Sequence, residues 1–495
     1  MTAEVRPDRD HPAQASRRVA KNTTYLAFAD GANKLMLFVF NMVAARHLGV
    51  ARFGVLSFAL AFVTMLAVFT DLGLGAMSAR EIARDPKEAR RLVSNSLAVK
   101  LLASLFVILL IGVLVNLLDY PRVTVRVVYI CSFFVLESAV TSYYCWVFQG
   151  FERMELAALT RITQTLVLVA GAFLLSRQSA RVESYALLYI SAGLLSVLFA
   201  GTVAWAKLVR PGLSFAPKAW WAQLRPSLPI GLTITFTALY YWNSVTLLSK
   251  LRGDEAVGNY SAAFRLAMGI AFVGFAFSGA VFPLLSRLFV TNRQRLSQAL
   301  QLALKYMSLF VLPMALLGAA LARPITSVVY GSGYEGSAAV FRVVAAWAAL
   351  ACLNSLLSNY LMAVDRPSIV TTQAGFSLGV NIIGNIFLVP RFGAIGAAAS
   401  LVCAEAVGFV YLLARQLTTP DGVRSGQYAG VLFHALAALV PTAFVVRLAV
   451  KWSLAAVLPL AIVVYLAALL VTRGIDRQDV RFLIALVRRD DAQAS

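Results

Sequence analysis

Long apolar runs recur along the chain, separated by short polar breaks. About fourteen of them reach the roughly 20 residues that a helix needs to cross a hydrocarbon core about 30 Å thick. They centre near residues 35, 66, 105, 137, 166, 196, 238, 273, 309, 350, 378, 405, 437 and 461. The pattern predicts an all-α, polytopic membrane protein with about 14 transmembrane helices.

Composition points the same way. Of the 495 residues, 60% are hydrophobic and 14% charged, with a mean hydropathy of +0.77. A soluble domain would be about 45–50% apolar and about 25% charged. A larger core does not explain the excess, because burial saturates as chains split into domains. The formal net charge of +21 would suggest nucleic acid in a soluble protein. Here the basic residues are dispersed among the ends of apolar segments, which reads as orientation signal and anionic-lipid contact, with no nucleic-acid partner.

Lysine and arginine also set the expected orientation. Five precede Asn22, five lie in AREIARDPKEARR (79–91), four in KLVRPGLSFAPKAWWAQLR (207–225) and five follow Thr472. Summed over alternate connections, the side shared by both termini carries roughly 26 and the other about 12. Both termini are therefore expected in the cytoplasm, with the chain in the cytoplasmic (inner) membrane.

The expected organisation is a cytoplasmic tail at 1–21, six helices over 22–206 and a cytoplasmic linker at 207–225. Six further helices follow over 226–418, then two accessory helices over 426–472 and a cytoplasmic tail at 473–495. Trp220, Trp221 and Lys218 suit a segment lying at the interface. No connection is long enough to fold as a separate domain. There is no GxxxxGK[ST] phosphate loop and no HExxH, and the chain has only 3 histidines. The four cysteines, Cys131, Cys145, Cys352 and Cys403, lie in apolar segments without metal or redox spacing. No cofactor, metal site or enzyme chemistry is expected.

An internal repeat accompanies this layout. LGVARFGVLSFALAF (48–62) and RGDEAVGNYSAAFR (252–265) share a frame through Gly49, Gly54, Ser57 and Ala59, and through Gly253, Gly258, Ser261 and Ala263. Each copy begins where the first and second helices of a six-helix unit join, so the units would share an orientation. Chance is the alternative, since these small residues are common in membrane helices.

Polar residues inside the spans carry the candidate chemistry. In YLAFADGANKLMLF, Asp30, Asn33 and Lys34, with Asn41 beyond, fall in one stripe about 100° wide on a helix. Lys34 would lie roughly 18 Å into the bilayer. A lysine facing lipid there would cost several kcal/mol, so the stripe should face protein or a water-filled cavity. An Asp30–Lys34 pair packed against a neighbour is the plainer reading, and the two overlap. Asp71 and Lys100 lie about as deep as Asp30, and Glu137 and Glu405 near mid-bilayer. Arg265 and Arg342 enter from the opposite face, where snorkelling is an alternative. Arg161 and Lys305 sit near enough to helix ends to snorkel. Thr233, Thr237, Tyr240, Tyr241 and Ser244 form a hydroxyl and aromatic face suited to sugar or head-group contact, or equally to helix packing. Gln373, Asn381 and Asn385 add amides to the eleventh span.

Several stretches carry a resemblance: Arg46–His47–Leu48–Gly49 with Phe53–Gly54, and Asp71–Leu72–Gly73–Leu74. Gly258–Asn259–Tyr260 with Ala263 and Arg265 follow, then FPLLSRL (282–288), YGSGYEGSAAVFRVVA (330–345) and NIFLVPRFGAIGAAAS (385–400). In order and spacing, over about residues 20–420, the chain resembles the Wzx-type polysaccharide flippases of the multidrug/oligosaccharidyl-lipid/polysaccharide (MOP) flippase superfamily. The resemblance implies two MATE-like six-helix lobes around a central cavity, plus two C-terminal helices. It implies outward translocation of a polyprenyl-pyrophosphate-linked oligosaccharide for cell-surface polysaccharide synthesis, by ion-coupled alternating access. Its implied partners are that lipid-linked substrate, membrane lipids and the polymerase and assembly proteins of the polysaccharide. Lys34, Asn33, Asn41, Arg265, Arg342, Tyr240 and Tyr241 would then contact substrate, Lys34 and Arg265 from one shared cavity. Asp30, Asp71 or Glu137 would hold the coupling ion, a proton or sodium. Peptidoglycan lipid-precursor flippases and MATE-type multidrug antiporters of the same superfamily are the alternatives. The antiporters would favour acidic groups in the cavity.

Overall fold

The computed structural model describes residues 12–212, 216–418, 425–449 and 454–472 together with Gly474. Residues 1–11 of the expected tail at 1–21, residues 473 and 475–495 of the expected tail at 473–495, and residues 213–215 of the linker lie outside the described residues. Within the described residues there is no β-strand. The helices are α1 (Pro12–Ala67), α2 (Leu74–Arg84), α3 (Ala89–Leu117), α4 (Arg122–Gly150), α5 (Met154–Ser176), α6 (Val182–Lys207) and α7 (Pro217–Thr291). They continue with α8 (Arg293–Ala320), α9 (Ala322–Tyr330), α10 (Glu335–Ala363), α11 (Pro367–Leu417), α12 (Ser425–Leu448) and α13 (Leu454–Val471).

Nine of these helices are long and apolar enough to cross a membrane, and two shorter apolar ones, Phe433–Leu448 and Ala456–Val471, follow. Three of the nine are too long for one crossing: Asp30–Thr70, Gly231–Thr291 and Pro367–Leu417 run for 41, 61 and 51 residues. Each is two helices joined at a glycine outside helical geometry, at Gly49, Gly253 and Gly393. Counted as pairs, they bring the described spans to the expected fourteen, and each expected centre falls on a different segment. The chain is an integral membrane protein. The short amphipathic α2 and α9 were not expected.

Two of the glycine joints are alike. Gly49 has φ 72° and ψ 169°, and Gly253 φ 76° and ψ −175°, a region that side chains with a Cβ avoid. The frame that follows each is buried: Ser57 and Ala59 in one copy, Ser261 and Ala263 in the other. The shared conformation and burial favour a structural repeat over chance. The third joint frees carbonyls that membrane depth does not leave unbonded. Arg252, beside Gly253, donates from Nε to the Val389 carbonyl at 3.3 Å and from Nη2 to that of Pro390.

The chain divides into two compact units, Met1–Ala238 and Leu239–Ser495. In the first, α4 is the central helix, packed on α1, α2, α3, α5 and α6. In the second, α10 packs on α8, α9 and α11, with Trp347 and Tyr360 fully buried. The last two helices pack on each other and α12 on α8, where Leu317 and Leu321 meet Val446, Val457 and Ala461.

Helix α3 displays how solvent shapes this fold. Its exposed positions include Leu102, Leu105, Phe106, Leu109 and Val113, a helical stripe of large apolar side chains suited to lipid. Its buried positions include Ser94, Asn95, Ser96, Lys100 and Ser104. Polar groups turn inward because only protein can bond them there.

Candidate functional site

In the first unit the stripe on α1 meets a matching polar edge on α5. Arg161 Nη1 donates to Asp30 Oδ1 at 2.8 Å, and one turn along Thr165 Oγ1 donates to Asn33 Oδ1. The pairs form because Arg161 and Thr165 are spaced i, i+4 and Asp30 and Asn33 i, i+3. Arg161 therefore does not snorkel away as expected, because a carboxylate on the neighbouring helix holds it. The pairing was detectable in sequence only as two polar spacings of similar pitch, 131 residues apart. Lys34 is exposed, one turn beyond Asp30. Asn41 is buried, and its amide donates to the Leu37 carbonyl at 2.6 Å.

The two charges expected at similar depth, Asp71 and Lys100, are brought together as an ion pair. Lys100 is wholly buried, and its ammonium lies 5.5 Å from the centre of the Tyr143 ring. The Tyr143 hydroxyl donates to Ser78 Oγ at 3.2 Å, Ser78 lies 3.4 Å from Ser96, and Ser96 donates to Gln223 Oε1 at 3.3 Å. Thus α2, α3, α4 and the start of α7 are tied around one lysine. Glu137, on α4, is buried with Oε2 lacking a hydrogen-bond partner among the described residues. It abuts Gly193 of α6, where a methyl group would collide with the carboxylate.

In the second unit, Tyr240 is buried and its hydroxyl donates to Glu405 Oε2. Trp347 Nε1 donates to that hydroxyl oxygen at 3.0 Å, and Asn354 Nδ2 donates to Glu405 Oε1 at 2.8 Å. Tyr241 stacks edge-on against both Tyr240 and Trp347, with centroids 5.2 and 6.1 Å apart. A second polar cluster joins α7 to α11. Asn243 Nδ2 donates to Asn381 Oδ1 at 2.8 Å, and Asn385 Nδ2 to Asn243 Oδ1 and Ser244 Oγ, both at 2.9 Å. Arg265 is half-buried, within electrostatic reach of the Tyr330 and Tyr334 hydroxyls, and Arg342 is exposed on α10. No group of three or more metal-ligating side chains occurs among the described residues. Sequence reasoning placed Glu405 at mid-bilayer and missed its partners, which come from two other helices, α7 and α10.

This architecture is that of the MOP transporters. The chain is similar to the solved structure of the lipid II flippase MurJ in an inward closed conformation, with a TM-score of 0.76 and 16% identity over 90% of this chain and 97% of that one. It is also similar to an inward-facing multidrug resistance MATE family transporter of the MOP superfamily, with a TM-score of 0.60 and 15% identity over 77% of this chain and 94% of the other. At such identities the likeness is one of fold.

The family model described as "Polysaccharide biosynthesis protein" matches residues 19–289, more than half of the chain, and the MatE model matches 229–387. The chain belongs to the polysaccharide biosynthesis protein family, within the MOP flippase superfamily. Its relatives include the "Putative O-antigen transporter" of Escherichia coli (strain K12), 24% identical over 395 residues, 78% of this chain and 93% of the relative. The "Probable low-salt glycan biosynthesis flippase Agl15" of Haloferax volcanii is 23% identical over 374 residues, 74% of this chain and 76% of that one.

Proposed function

We propose that this protein translocates a polyprenyl-pyrophosphate-linked oligosaccharide across the cytoplasmic membrane for cell-surface polysaccharide synthesis, driven by an ion gradient and without catalysis. The family and its glycan-flippase relatives support the class of cargo. One observation favours an anionic cargo over a cationic drug: the two aspartates at membrane depth are already neutralised, Asp30 by Arg161 and Asp71 by Lys100. Lys34 and Arg342 are exposed and Arg265 half-buried, so basic side chains within the spans are accessible, Lys34 in the field of both Asp30 and Arg161. A diphosphate head group needs such cations, with arginine able to engage it bidentately and lysine as a point charge. Tyr240, Tyr241, Asn33 and Asn41 are the proposed neutral contacts. The termini are proposed to be cytoplasmic, and the polysaccharide polymerase and assembly proteins the downstream partners.

Transport of a fluorescent polyprenyl-pyrophosphate oligosaccharide in sealed proteoliposomes tests this reading, with and without a proton or sodium gradient. Gradient-dependent flipping that Lys34→Ala and Arg265→Ala abolish in folded protein is the expected result. Movement of small cationic dyes alone, untouched by either substitution, would overturn it. The fold likeness to MurJ makes a lipid-linked peptidoglycan precursor the natural competing cargo.

A further inference from the structure

The four carboxyl groups placed deep in the spans differ in what they face. Asp30 and Asp71 face a guanidinium and an ammonium, which donate protons and accept none. Protonating either aspartate would set donor against donor beside a fixed charge. Glu137 abuts Gly193 and has no partner for Oε2 among the described residues.

Glu405 is placed differently. Oε1 accepts from an amide and Oε2 from a phenol, and both of those groups can give or take a hydrogen bond. The Tyr240 hydroxyl has a second acceptor within reach, the Leu401 carbonyl at 3.5 Å. A proton on Oε2 would be donated to the Tyr240 oxygen, and the phenolic O–H would turn to Leu401. Trp347 would go on donating to the same oxygen, so each of these groups keeps a partner in both forms. Asn354, 3% exposed, holds a further acceptor in reserve, since its Oδ1 is buried without a partner among the described residues. With the proton on Oε2, Oε1 goes on accepting from Asn354, whose Nδ2 also donates to the Glu405 backbone carbonyl at 2.9 Å.

Among the described residues, no ion pair involves Glu405. The titratable groups around it are Tyr240 and Tyr241 of α7 and Cys352 of α10. A short polar line stops one residue from it, at the Ala404 carbonyl. Gln373 Nε2 donates to Ser377 Oγ at 2.9 Å, and Ser377 to the Ala404 carbonyl at 3.1 Å. Both converge with Asn354 on Gly408, where a methyl group would stand 2.5 Å from Gln373 Nε2, 2.7 Å from Ser377 Oγ and 3.4 Å from Asn354 Nδ2.

We propose that Glu405 is a proton-binding site, read out by reversal of its hydrogen bond to Tyr240. The proposal rests on the ion-coupled reading above and names the ion and its place. Uptake of one proton from water converts the carboxylate to a neutral acid and reverses a link between α7 and α11. Nothing else is consumed.

The test that needs no cargo is infrared difference spectroscopy on the full-length protein in liposomes, between alkaline and acidic buffer. Wild type should show a protonated-carboxyl C=O band that Glu405→Gln removes, Glu405→Asp restores and Glu137→Gln leaves in place. Tyr240→Phe, which keeps the ring and removes the hydroxyl, should shift its frequency. A band unchanged in Glu405→Gln, or unshifted in Tyr240→Phe, overturns the proposal. In the transport assay, Glu405→Gln should lose stimulation by a proton gradient, and a variant that keeps it also overturns the proposal. A wild type that shows the Glu405 band yet moves no lipid-linked glycan counts against the function proposed above and leaves the proton site standing.

Discussion

Asp71 in the first unit and Glu405 in the second are both carboxyl groups deep in a helical bundle, yet they are suited to opposite tasks. Asp71 is held by a fully buried lysine, itself seated over Tyr143 at the centre of a network that ties four helices together. That arrangement works in one protonation state. Glu405 is held by a phenol and an amide, and its network closes with or without a proton. Donor inventory, more than depth or burial, separates a structural carboxylate from a switchable one.

The largest effect that would sharpen this contrast is at Lys100. Lys100→Met leaves Asp71 without its counter-charge, and breaking a buried pair in this way costs about 3–5 kcal/mol. Thermal unfolding in detergent should show a steep loss for the single variant and substantial recovery for Lys100→Met combined with Asp71→Leu. Failure of the double variant to recover would mean that Lys100 supports something beyond Asp71. Next is Gly408→Ala, where the added methyl overpacks the convergence of Gln373 and Ser377 and should cost about 1–3 kcal/mol. The same unfolding measurement reads it, and an unchanged midpoint would show that the polar line is loosely packed. Trp347→Phe removes one donor to the Tyr240 oxygen and should cost about 1 kcal/mol, with little change in gradient-driven transport. If that variant instead unfolds as readily as the Lys100 variant, the Glu405 network is as structural as the Asp71 pair. The smallest effect belongs to Arg161→Ala: its pair with Asp30 is 39% exposed on both sides, so the stability loss should stay within about 1 kcal/mol. A loss comparable to that at Lys100 would place Asp30 in the structural class as well.

The repeat offers a separate check on how the halves were built. Neither Gly49 nor Gly253 has a neighbour within 4 Å of where a Cβ would stand, so an alanine there reports backbone strain alone. Both substitutions should destabilise by about 1–3 kcal/mol and by similar amounts. Unequal losses would argue that the shared frame is not one structural device.

Much of the fold was legible because hydropathy and segment length are local properties. Fourteen apolar stretches sized to a bilayer appear on fourteen helical segments, and the recurring Gly-x4-Gly-x2-Ser-x-Ala frame marks two joints of one conformation. What was not visible is that three joints need no loop at all. A glycine at positive φ turns one helix directly into the next.

The candidate site was legible only as a set of residue types. Composition and span length determined that this chain lives in a membrane, and that its polar residues must therefore face protein or water. The order of its motifs pointed to the flippase family. Tertiary structure alone decided which charge meets which: Asp30 with Arg161, Asp71 with Lys100, Glu405 with Tyr240 and Asn354. The physical reason is range. A helix period constrains neighbours three or four positions away, whereas these partners are separated by 131, 29, 165 and 51 residues and meet only when their helices pack.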